Sequence, residues 1–259
     1  MHKSTKTISL TLLALAFTSC TTTTQTTSGA DYLSRYTPAM NKGNIGETTL
    51  SDANIDQQVR QIAEVEPDLR FPARIGLARI ERGRLTNSPV NEIRAWGDLA
   101  DKLGAPYGEF VPVSPFIAAL VRPGKASESR VPNVISDIRR ASARQHLDYV
   151  LVYEVTQNVS EQSNGLSFTD LTILGMYVIP SRSIKINSTA SAILIDVRNG
   201  YPYGTATAFA SDKNTRTKSG SGAAKRKDKS NNYVQVVENL TGEVETMMKD
   251  LWVLQNQRR

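Results

Sequence analysis

The chain has 259 residues, 39% of them hydrophobic, and a formal net charge of +6, which is enough apolar material for one substantial core. Its single cysteine excludes intrachain disulfides and thiolate metal clusters, and only two histidines are present. No G-x-x-x-x-G-K-[ST] loop occurs, and no G-x-G-x-x-G follows a strand pattern, so phosphate- and dinucleotide-binding folds lack their signatures.

Chain order begins with Lys3 and Lys6, an apolar run from Ile8 to Phe17, and then Thr18-Ser19-Cys20. That succession predicts an export signal over 1–19. The run is shorter than the roughly 20 residues that span a bilayer as a helix, which argues against a transmembrane anchor. The segment resembles a bacterial lipoprotein signal, with Phe17 standing where leucine is usual. The resemblance implies cleavage before Cys20 and acylation of both its thiol and its new amino group. Thr21 stands where aspartate often marks retention in the inner membrane, so the outer membrane is expected, with the body facing the periplasm. Loss of Lys3 and Lys6 lowers the charge from +6 to +4.

The run TTTTQTTSGA from Thr21 to Ala30 is polar and of low complexity, and a flexible tether is expected over 20–50. Tyr32, Leu33 and Tyr36 are its candidates for docking on the body. The rest, 51–259, is expected to form one domain. Arg74 to Ile80 alternates as a first strand. Ser88 and Pro89 then open a helix whose inner stripe is Val90, Ile93, Trp96, Leu99, Ala100 and Leu103, ended by Gly104. Phe110 to Val121 reads as a strand bent by Pro112 and Pro115. Pro132 opens a helix with Ile138 and Ala141 inward and Arg139, Arg140 and Arg144 outward. Tyr149 to Val155 is nearly continuous in apolar character, as a central strand is. Thr189 to Val197 and Tyr203 to Ala210 form a hairpin through Arg198-Asn199-Gly200. A last helix, Asn232 to Leu254, carries an apolar stripe from Tyr233 through Leu240 and Met247.

This order predicts an α/β (α+β) fold: a mixed sheet of about five strands with helices packed on it. The phrases IRRASARQHLDYVLVYEV and ASAILIDVRNGYPYGTATA resemble a pattern shared by the curli assembly and transport lipoprotein, the lipoprotein activator of penicillin-binding proteins and the TolB amino-terminal domain. Asp148, Asp196 and Gly200 carry the agreement, and their roles are those of strand starts and turns. The resemblance implies a TolB-like fold in an envelope lipoprotein.

Candidate chemistry is sparse. His146, at a helix end, is expected to face the helix dipole rather than to catalyse. Glu64, Glu66 and Asp68 are expected to be solvated. No catalytic, cofactor or metal site is expected, and Cys20 is the lipidation site. A carboxylate-based envelope hydrolase is the remaining enzymatic alternative. Two segments are candidate interaction surfaces. One is the apolar stretch Leu171 to Pro180, with Leu171, Ile173, Met176 and Tyr177. The other is a basic loop from Ser211 to Ser230, with Lys225, Arg226 and Lys227. That loop lacks the interleaved aromatics of a nucleic-acid site, so no nucleic-acid partner is expected. A non-catalytic binding or assembly factor is therefore expected, held to the membrane by Cys20 and partnered by an envelope protein or the cell wall. The alternative is one subunit of an oligomeric outer-membrane secretion channel.

Overall fold

The computed structural model describes residues 21–35, 50–121, 134–163, 182–216 and 221–257. The described elements, in chain order, are β1 (Thr21–Thr24), α1 (Gly29–Arg35), α2 (Leu50–Ala63), β2 (Ala73–Glu81), β3 (Arg84–Thr86), α3 (Val90–Leu103) and β4 (Gly108–Pro112). They continue with α4 (Pro115–Leu120), α5 (Val134–Arg144), β5 (Tyr149–Ser163), β6 (Arg182–Asp196), β7 (Pro202–Arg216) and α6 (Ser221–Gln257). The strands form one seven-stranded mixed sheet ordered β1-β7-β6-β5-β2-β3, with β4 also on β2. Strands β2, β4 and β5 are parallel to one another and the remaining pairings are antiparallel. The expected class is therefore the observed one, with seven strands in place of about five.

Burial on both faces explains the apolar continuity of β2 and β5. One face packs against α3 and α6 through Ile75, Leu151, Trp96, Leu240 and Met247. The other packs against α4 and α5 through Ala78, Val150, Val152, Ala118 and Ile138. The β6–β7 turn is fixed by Asp196, whose Oδ1 accepts from the backbone N–H of Arg198 (2.7 Å) and Asn199 (3.2 Å). Gly200 supplies φ +81° there, a left-handed conformation that suits glycine. Arg139, expected outside, reaches across α5 to donate to the carbonyls of Val197 (3.2 Å) and Arg198 (2.9 Å).

Five expectations are corrected. Phe110 to Val121 is not one strand: β4 ends at Pro112, and Pro115 begins α4 directly after its N-cap Ser114, so the second proline starts a helix. The inner stripe of α3 is Glu92, Trp96, Leu99 and Leu103, whereas Val90 and Ile93 are exposed. Its N-cap is Pro89, and the Ser88 hydroxyl is spent on Tyr153 Oη at 2.6 Å. The basic stretch 211–230 is mostly regular structure, because β7 runs on to Arg216 and α6 starts at Ser221. Finally, Thr21–Thr24 is not a free tether: it lies antiparallel on β7, with Thr21 opposite Thr207 and Thr24 opposite Gly204.

Four half- to fully buried phenols hold the layers together. Tyr149 Oη accepts from Arg70 N (2.7 Å) and donates to Asp68 O (3.0 Å); Tyr203 Oη accepts from Asp68 N (3.0 Å) and donates to Asp196 Oδ2 (3.1 Å). Burial pushes the Tyr149 and Tyr233 phenols up to about 12 and those of Tyr153 and Tyr203 higher still. A raised folded pKa means that the neutral phenol is favoured by folding. Stability is thus complete below the unfolded value near pH 10 and falls as pH rises through the folded values. Ultraviolet titration should show these four tyrosines ionising only together with loss of structure.

Candidate interaction surface

The cluster closest to an active site in appearance lies where α3 enters the core. Glu92 is fully buried in its first turn. Arg79 Nε donates to both Glu92 oxygens at 3.1 and 3.0 Å, Nη1 to Glu81 (2.7 Å) and Thr86 Oγ1 (3.0 Å), and Nη2 to Tyr233 Oη (3.1 Å). The Glu92 carboxylate also accepts from Tyr153 Oη at 2.8 Å and from Tyr233 Oη. Burial opposes the Arg79 charge, but the Tyr233 hydroxyl, Glu81 and Glu92 outweigh it and raise its pKa above the ordinary guanidinium value. A cleft of about 510 Å³ adjoins the cluster, lined by Asn87, Asn91, Gln157 and Lys229 among others. The Glu92 oxygens thus accept from three donor groups, Arg79, Tyr153 and Tyr233. The cluster braces β2, α3, β5 and α6.

His146 is far from this arrangement in kind. It is exposed at the end of α5 with φ +56°, its N–H bonded to Ala143 O. Of the acidic trio, Glu66 is exposed yet ordered, since its Oε1 accepts from Ser28 Oγ (3.0 Å) and Ala30 N (2.9 Å) at the start of α1. Asp68 pairs with Arg70 at 2.7 Å. No group of three or more metal-ligating side chains occurs among the described residues.

What is open on this molecule is the end of the sheet beyond the body. Pairing of β2 with β5 ends at Glu154, and pairing of β1 with β7 ends at Thr207. Beyond those points the outer sides of β5 (155–163) and β7 (208–216) have no strand partner among the described residues, while β6 pairs with both throughout. One face of this three-stranded extension is buried under α6 through Ile186, Ala190, Ala208 and Ala210. The other is exposed and polar, with Thr156, Asn158, Ser160, Asn187 and Ser211, plus the 41% exposed Phe209.

The sequence-derived surface residues fall around this extension only in part. Arg226 and Lys227 are exposed on the first turns of α6, and Lys225 belongs to the same helix. Cys20, Leu171, Ile173, Met176 and Tyr177 lie outside the described residues. Segment 164–181 joins Ser163 to Arg182, which pair with each other at the end of the extension. Tyr32 is half exposed beside an apolar groove of about 740 Å³ between α1, α2 and the β6–β7 turn. Sequence reasoning missed the open edges and the Glu92 brace. The signal for the brace was an arginine inside an otherwise apolar strand and a glutamate at position 92 in the period 92, 96, 99, 103.

No protein-family model matches this chain, and no curated protein matches it. Among solved structures it is similar to the PelC dodecamer from Paraburkholderia phytofirmans, at 17% identity over 70% of this chain and 91% of that one, with TM-score 0.29. It is similar to lipoprotein GNA1162 from Neisseria meningitidis, at 19% identity over 62% of this chain and 99% of that one, with TM-score 0.29. It is also similar to the hypothetical protein CT253 from Chlamydia trachomatis, at 13% identity over 68% of this chain and 97% of that one, with TM-score 0.33.

Proposed function

We propose that this chain is a non-catalytic lipoprotein of the bacterial envelope. It is exported by 1–19, acylated on Cys20 in the outer membrane, and turns its single body toward the periplasm to bind an envelope protein or cell-wall assembly. The observation that carries this reading is the position of β1. Thr21, the residue after Cys20, is already on the sheet, so an acyl anchor on Cys20 would hold the body close to the membrane. Among the described residues no helix is long and apolar enough to cross a membrane. Cys20→Ser should abolish the acyl mass on the amino-terminal peptide and release the protein from membranes, since two or more chains give near-permanent anchoring. Membrane retention of the variant, with no lipid on the wild type, would overturn the reading.

A second reading, a subunit of an oligomeric secretion component, draws on the two open edges. Strands β5 and β7 run in the same direction, with free sides facing opposite ways, so copies adding β7 to β5 meet head to tail. Such heterologous contacts close into rings when the rotation permits. Rings in negative stain and conductance in planar bilayers are its expected results; a monomer that leaves bilayers silent disposes of it.

A further inference from the structure

The residue that follows Cys20 and a group of exposed cations, Lys185, Arg226 and Lys227, lie toward the same end of the sheet. Read from Thr24 back to Thr21, β1 runs away from the Arg198–Gly200 turn and toward the end where β5 and β7 finish and β6 and α6 begin. The level of Thr21 is that of Thr207, and β7 continues for nine more residues to Arg216. At about 3.4 Å per residue the sheet therefore overshoots the anchor by roughly 30 Å. A flush anchor and so long an overshoot are compatible only if the extension enters the bilayer or lies along it. Entry needs a lipid-facing apolar surface, and the uncovered face instead carries Thr156, Asn158, Ser160 and Asn187.

Charge supplies the attraction. On this half Lys185, Arg226 and Lys227 are exposed; the strand ends and first helical turn there also contain Arg182, Lys213, Arg216 and Lys225, against Glu161 on β5. The acids interspersed in the stretch 211–230 are Asp212 and Asp228, the first half-buried and the second buried. Lys229 is level with the rung Gln157–Ser188–Ala210, its carbonyl bonded to Gln157 Nε2 at 3.0 Å, three residues past Thr207 and about 10 Å along the strand. Phe209 is exposed between that rung and Thr207, where an aromatic ring would meet the headgroup region. The opposite pole carries both signs, with Asp68 paired to Arg70 and Asp196 near Arg198.

We propose that the half of the molecule beyond Thr207, formed by the ends of β5, β6 and β7 and the first turns of α6, rests on an anionic phospholipid leaflet, with the Arg198–Gly200 turn held away from it. The proposal rests on acylation of Cys20 and adds an orientation and a lipid class to it. The test uses the full acylated chain on vesicles of phosphatidylethanolamine with or without phosphatidylglycerol. Acylation consumes the only thiol, so single fluorophores can be placed through Ser230→Cys on α6 and Arg198→Cys on the far turn. On anionic vesicles a headgroup quencher should quench the Ser230 probe several-fold more than the Arg198 probe. Arg226→Glu with Lys227→Glu should weaken that contact by about fivefold for each cation removed, and raised salt should do the same. Equal quenching at both positions, or a contrast unchanged on neutral vesicles and by charge reversal, would overturn the proposal while leaving the anchor intact. A chain without the acyl mass would overturn the lipoprotein reading itself, and this one with it.

Discussion

Glu92→Ala is expected to remove about 3–5 kcal/mol from the stability of the body, the cost of leaving a buried charge without its partner. Arg79 is only 8% exposed at its side chain and Glu92 is fully buried, so neither ion can recover its hydration once the other is gone. Glu81, the second acid on Arg79, is half exposed and compensates in part. Tyr153 and Tyr233 would each lose an acceptor inside the protein. Urea unfolding should show the loss as a lower midpoint with an unchanged slope. The double replacement Arg79→Met with Glu92→Leu should recover most of it, because a buried ion pair adds little over well-packed apolar groups. A single variant within 1 kcal/mol of the wild type, by contrast, would show that water reaches the cluster through the adjoining cleft.

The second large effect tests which face of α3 is the inner one. Trp96 is 1% exposed and packs against Tyr153 with ring centroids 4.9 Å apart and planes tilted by 57°, so Trp96→Ala should cost about 3–5 kcal/mol. Ile93, one turn earlier and part of the stripe that the sequence suggests, is 48% exposed, so Ile93→Ala should stay within about 0.5 kcal/mol. Trp96 belongs to both stripes, so in thermal melts Trp96→Ala serves as the buried reference and Ile93→Ala decides between the two faces. A costly Ile93→Ala would restore the sequence-derived stripe and move Glu92 to the surface.

Much of the scaffold was readable from residue order, for physical reasons that can be named. The strands β2 and β5 announce themselves because burial on both faces demands unbroken apolar character. The β6–β7 hairpin follows from Asn199-Gly200, whose left-handed glycine and preceding Asp196 make the turn locally. The C-terminal two thirds of α6 follow from a stripe at helical spacing, with Leu240, Val244, Met247 and Leu251 all fully buried. The proposal of lipidation at Cys20 rests on a purely local pattern, read by position and not by fold.

What the sequence by itself determined, then, is whatever a few consecutive residues fix through backbone geometry or one-sided burial. The tertiary structure alone decided the rest. Thr21–Thr24 carries no core pattern and becomes a strand because β7 offers an unpaired edge at Gly204 to Thr207. The basic turns of α6 carry no apolar stripe and are held by distant polar partners, with Asn232 Oδ1 accepting from Ser188 Oγ at 2.5 Å and the Lys229 carbonyl from Gln157. Glu92 turns inward only because Arg79, thirteen residues earlier on a different element, supplies the opposite charge in the core. In each case the deciding free energy belongs to a pairing between segments that the chain brings together only on folding.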